Sequence, residues 1–198
     1  MDSNPYAVSE AGPAESEFMP AQFCIVGIRK FVILFLATHG LYTLYWFYSN
    51  WNAVRKSTGE RVWPAARAIL SIFFVHALFR KMQQKIEESG KEIAFPLASL
   101  ATRFVVLSIL TNVLNRLSVN EVLSPLSDIL SYAMLLPLCL TLQTAQKAVN
   151  HAEDDVHGAA NDSLSLVNYL WIVIGLIFWG AKILIILSYL SGDVTALP

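Results

Sequence analysis

The sequence predicts an all-α integral membrane bundle of four spans plus one short, partly inserted amphipathic helix, with five full spans as the alternative. Three observations predict it. Hydrophobic residues make up 55% of the 198 and the mean hydropathy is +0.51. Charged residues are only 15%, against about 25% in ordinary soluble domains. Apolar runs of membrane-crossing length recur along the chain, joined by short polar connections.

Residues 1–28 contain Asp2, Glu10, Glu15 and Glu17, no Lys or Arg, and much Pro, Ala and Ser, so a disordered acidic tail is expected. A cleavable signal peptide opens with a basic region leading into its apolar run. The acidic opening lacks one, so the first hydrophobic segment is expected to act as an uncleaved anchor.

That segment, 31–48, is uncharged, with Arg29 and Lys30 before it and Arg55 and Lys56 beyond it. Its length corresponds to about 27 Å of helix, close to the roughly 30 Å hydrocarbon core. It ends in a crowd of rings. Tyr45, Trp46, Tyr48 and Trp51, with Trp63 past the next linker, are expected to be membrane-interface anchors at headgroup depth. Gly40 would let a neighbouring helix approach.

Residues 64–89 read as one amphipathic helix, from Pro64 at its first turn to Gly90 at its end. The uncharged stretch between Arg67 and Arg80 is too short to span and suits partial insertion. Ile72, Val75, Phe79, Met82 and Ile86 make one apolar stripe that continues into a charged half.

Spans follow at about 98–117, carrying Arg103, and at 125–142, opening with Pro125 and carrying Asp128. Their short connection makes them antiparallel neighbours. The second continues as a cytoplasmic extension over 143–157, where Leu135, Leu138, Leu142, Ala145, Val149, Ala152 and Val156 form a heptad seam. The last span, 166–190, carries Lys182, and a tail occupies 191–198. Segments 80–92 and 143–157 fall on the same, more basic side and are expected to pack together as a small cytoplasmic knob. The four-span threading places Arg29, Lys30 and Arg116 opposite the remaining loop cations, with both termini outside.

Chemistry-bearing residues are sparse. Ionisable groups at membrane depth are costly and so are candidate functional sites. His39, Asp128 and Lys182 are the intramembrane candidates. Lys182 either snorkels to the interface, the favoured reading, or faces a partner inside the bundle, with Asp128 the natural one. HAEDDVH over 151–157 places His151 with Asp155 and Glu153 with His157 on two different helix faces, which does not make a four-ligand metal site. Asn161-Asp162-Ser163 is a glycosylation sequon by pattern only. Cys24 and Cys139 have no metal-ligand or redox spacing. No phosphate loop or nucleophile motif is present, so no enzyme activity, cofactor or metal is expected, and the net charge of −1 gives no footprint for nucleic acid.

The stretch GLYTLYWFY over 40–48, followed by Thr58-Gly59-Glu60 and a short apolar helix closed by basic residues, resembles a group of small uncharacterised bacterial inner-membrane proteins. QTAQKAVNHA and NYLWIVIGLIFWG near the end resemble the same group, as does the opening NPYAVSE, where Val8 stands in place of the group's proline. The resemblance implies a multi-pass protein of the bacterial inner membrane and implies no activity. The expected partners are the lipid bilayer and another protein met through 80–92 and 143–157. The first functional expectation is therefore a non-enzymatic scaffold or partner subunit. The alternative is a small transporter or channel with a polar path around His39, Asp128 and Lys182.

Overall fold

A computed structural model describes residues 21–120, 122–123 and 125–191. The described residues contain helices and no strand. The helices are α1 (Ile28–Ala37), α2 (Tyr42–Thr58), α3 (Pro64–Ile69), α4 (Ser71–Glu88), α5 (Leu97–Val119), α6 (Leu126–Ala133), α7 (Leu135–Ala152) and α8 (Leu166–Ser191), with a 3-10 turn at Ala159–Asn161.

Three helical segments are long and apolar enough to cross a membrane: α5, the α6–α7 pair taken together (Leu126–Ala152), and α8. The count of four is thus reduced by one, because residues 31–48 do not form a continuous helix. α1 stops at Ala37, and His39 and Gly40 take φ of 53° and 80°. Two successive left-handed residues end a right-handed helix. Thr38 secures both sides of the break, its hydroxyl donating to Leu34 O at 2.7 Å and accepting from Tyr42 N at 3.0 Å.

After the break the chain doubles back. The Phe31 ring lies 5.6 Å from that of Tyr42 and 6.3 Å from that of Trp46, and Cys24 N donates to Asn50 Oδ1. Residues 28–58 are therefore a helical hairpin with both ends on one side of the bundle.

A second dip follows. The single helix expected over 64–89 is two, interrupted at Leu70. α3 runs back along α2, where the Arg67 guanidinium stands 4.2 Å over the Trp51 ring. α4 then returns along α5: Gln83 Oε1 accepts from Leu97 N, and His76 Nε2 lies 3.3 Å from the Thr102 hydroxyl. An ion pair between Lys81 and Glu60 closes the base of this loop. Its tip exposes Ile69 and Phe73.

α5 leads away from the end shared by both hairpins, α6–α7 returns, and α8 leaves again. Pro137 supplies no N–H for the carbonyl of Ala133, and the α6–α7 segment is interrupted there, at Met134. The closely packed core lies at the hairpin end, where Trp46, Phe47, Trp51, Phe79, Met82 and Leu142 are fully or almost fully buried. α8 is the opposite case, buried only at Gly175. A Cβ at Gly175 would collide with the carbonyl of Ala37, so the absent side chain lets α8 cross the end of α1 in backbone contact.

Of the acidic tail expected over 1–28, residues 21–28 are structured, with Phe23 and Val26 buried. The remainder of that tail, and residues 192–198 of the other, lie outside the described residues.

Candidate functional site

Two polar constellations stand out, one at each end of α1. The first is a cap at the hairpin end. Residues 23–27 run as an extended strap whose backbone groups are taken up by side-chain amides. Gln146 Nε2 donates to Cys24 O at 2.9 Å, Asn150 Nδ2 to Val26 O at 2.8 Å, and Asn161 Nδ2 to Ile25 O at 3.0 Å. Asn50, Asn150 and Glu153 accept from the N–H groups of Cys24, Val26 and Phe23. The amides also bind one another: Trp46 Nε1 donates to Gln146 Oε1 at 2.5 Å, and Gln146 Nε2 to Asn150 Oδ1 at 2.7 Å. Buried polar groups need such partners, and Asn50, Gln146 and Asn150 have no exposed surface. Lys30 finishes the cap by donating to Asn161 Oδ1 and Ser163 O. Burial raises the Cys24 thiol above its ordinary range, and Lys30 opposes this.

The knob segments pack as α4 against α7. Met82 and Ile86 on one and Val149 and Ala152 on the other are buried. Lys91 Nζ caps the end of α7, donating to His151 O at 2.6 Å and to Asp154 Oδ1 at 2.5 Å. The helix ends at Ala152 rather than continuing to 157, and Val156 leaves the stripe for solvent. Asp154 is held below the usual carboxylate range by its hydrogen bond from Lys91, and Asp155 by the backbone N–H groups of Ala160 and Ala159. The acidic residues of 151–157 are thus engaged in caps, and among the described residues no three His, Cys, Asp or Glu side chains converge as metal ligands. The sequon amide of Asn161 is likewise engaged in the strap.

The second constellation lies where α1 breaks. A cavity of about 390 Å³ is lined by His39, Thr111, Asn115, Ser131, Tyr132 and Lys182, with Leu41, Leu135 and Phe178 as apolar walls. It draws on the helix break and on all three spanning segments. The His39 ring stacks on Trp179 at 4.4 Å and meets Tyr132 edge-on at 5.8 Å. Trp179 Nε1 donates to Leu36 O at 2.9 Å, sharing with His39 N a carbonyl at the end of α1. His39 therefore holds an uncommon positive φ for a residue with a side chain, a form of strain that concentrates at functional sites. Its Nε2 is buried without a hydrogen-bond partner.

The structure brings His39 and Lys182 to one cavity. Asp128 sits one turn before Ser131 and Tyr132, buried, and accepts from the Ser118 hydroxyl at 2.7 Å. Lys182 is half-buried and lines the same cavity as His39. His76 and Arg103 are exposed.

The expected interface anchors divide. Tyr45, Tyr48 and Trp63 are exposed. Trp46 and Trp51 are not anchors but core: they point inward to Gln146 and beneath Arg67. The amides Asn50, Gln146 and Asn150 were not singled out from the sequence. Their signal was an i, i+4 Gln–Asn pair beside the buried positions Ala145 and Val149, where a surface helix face would carry charge.

No protein-family model, curated protein or solved structure matches the chain.

Proposed function

We propose that the protein is a multi-pass protein of a bacterial cytoplasmic membrane that holds a small polar solute at mid-depth, as a carrier does. The carrying observation is the broken helix α1–α2, which delivers a strained His39 to a cavity shared with Lys182. Non-helical backbone at membrane depth is tolerated where it is buried in protein or lines a cavity, and interrupted helices form the binding sites of many carriers. Gly175 lies nine residues into α8, about 14 Å along it, roughly half of a bilayer core.

The same fold supports an orientation. With residues 28–58 folded back, Arg29, Lys30, Arg55, Lys56, Arg61, Arg80, Lys81, Lys85, Lys91 and Lys147 gather at the hairpin end. Of the cations at the ends of the spans, Arg116 belongs to the opposite end, and Arg67, Arg103 and Lys182 lie within helices between the two. This bias supports a cytoplasmic cap. The scaffold reading is the rival: α4 and α7 pack together as the knob it expects, and the polar cavity at the helix break favours the solute reading over it.

The test is water access. In a background with Cys24 and Cys139 replaced, Asn115→Cys and Thr111→Cys should react with a small membrane-impermeant thiol reagent, while Val113→Cys, exposed toward lipid, should not. If all three positions are equally inert, the solute-site reading falls.

A further inference from the structure

We infer that the cavity at the helix break selects a small organic anion, with a carboxylate at Lys182 and an apolar body against Leu135 and Phe178. This rests on the solute-site reading above and adds the charge class. Among the described residues that line the cavity, Lys182 is the only Lys, Arg, Asp or Glu. No hydrogen bond or ion pair joins Lys182 to another described residue. An ammonium at membrane depth is costly until a counter-charge meets it. Attraction between opposite charges is also stronger there than in water. The second nitrogen is His39 Nε2, buried without a partner on the same wall. As a donor it completes a two-point grip on the two oxygens of a carboxylate.

The hydroxyls of Thr111 and Ser131 already donate to Leu107 O and Asp128 O, so the cavity's polar rim offers them as orienting oxygens rather than as the main grip. The apolar walls and the volume of about 390 Å³ favour an organic body over a bare inorganic ion.

Three probes of one shape separate the possibilities: benzoate, benzamide and benzylamine. Each is titrated by calorimetry into the full chain in lipid nanodiscs, with empty nanodiscs subtracted. Benzoate should bind saturably and at least tenfold more tightly than benzamide. Lys182→Met should weaken benzoate at least tenfold and leave benzamide unchanged, and Lys182→Arg should restore most of the loss. Helical circular dichroism and the thermal midpoint establish that each variant is folded. Benzylamine binding as well as benzoate, or benzoate binding unaffected by Lys182→Met, overturns the anion class. In either case His39-dependent binding would leave the solute site standing. Failure of all three probes to bind the folded parent chain overturns both.

Discussion

The Trp46 indole and the Gln146 amide, one hundred residues apart, are joined by a 2.5 Å hydrogen bond with no exposed surface on Gln146. Through Gln146 the same contact reaches Cys24 O and Asn150. Replacing one member leaves the others buried and unsatisfied, which costs about 1–3 kcal/mol per group. Gln146→Leu should therefore destabilise the cap by roughly 2–4 kcal/mol. Trp46→Phe should cost less, because it leaves only Gln146 Oε1 without its partner and keeps the bonds from Gln146 Nε2. Thermal unfolding in detergent would measure both, and equal midpoints for Gln146→Leu and the parent would contradict the network's role.

Gly175 and Gly180 lie on one helix and make a matched pair. A Cβ at Gly175 meets the Ala37 backbone, whereas a Cβ at Gly180 has nothing within 4 Å. Gly175→Ala should cost about 1–3 kcal/mol through overpacking. Gly180→Ala should be neutral or stabilising by up to about 1 kcal/mol, from helix propensity. Disulfide trapping between α1 and α8 should weaken for the first variant alone.

At His39 the backbone conformation and the ring chemistry can be separated. Asn tolerates the left-handed region, whereas a β-branched residue does not. His39→Asn should keep the fold and lose solute binding. His39→Val should lose about 1–3 kcal/mol of stability as well. Equal stability of the two variants would show that the break does not depend on the positive φ.

Acid should loosen the cap at its Asp caps. A carboxyl whose folded pKa lies below its unfolded value contributes stability above the ordinary Asp range, near about 3.9. That contribution is lost as pH falls through the folded value. Asp155 is lowered by the N–H groups of Ala160 and Ala159. Asp155→Asn should therefore unfold at a lower temperature than the parent at pH 6, and the gap should close as pH drops below the ordinary Asp range. A gap that widens in acid would reverse the sign.

Topology gives the broadest check. Reporters fused after residue 60 and after residue 90 should both report the cytoplasm, and one after residue 191 the other side. A reporter at the amino terminus should report the cytoplasm as well; on the far side it would restore a full crossing by 31–48.

The long spans were legible because continuous apolar runs over α5, α6–α7 and α8 leave few alternatives in a bilayer. The first run misled for a physical reason. Hydropathy adds up side chains and is blind to φ, so Leu34 through Phe47 looked like one helix although Thr38, His39 and Gly40 turn the chain around. The clue was three consecutive residues without an apolar side chain in mid-run. The rings were misread in the same way. Trp46 and Tyr45 are neighbours of similar hydropathy, but once the hairpin forms one faces Phe79 and the other faces outward. His39 and Lys182 stood out as candidates from their place in apolar runs, yet their meeting in one cavity depends on the crossing at Gly175.

The strap has a consequence for how the protein is made. Val26 leaves the ribosome first and waits for Asn150, 124 residues later, before its backbone is held. At about 5–20 residues per second that interval is on the order of ten seconds. Until then the first hairpin has neither its lid nor α7 to pack against, while Phe23, Phe31 and Trp46 are already made. Nascent chains truncated before residue 150 should thus remain clients of chaperones or insertases, and maturation of the first quarter of the protein is timed by the synthesis of its last.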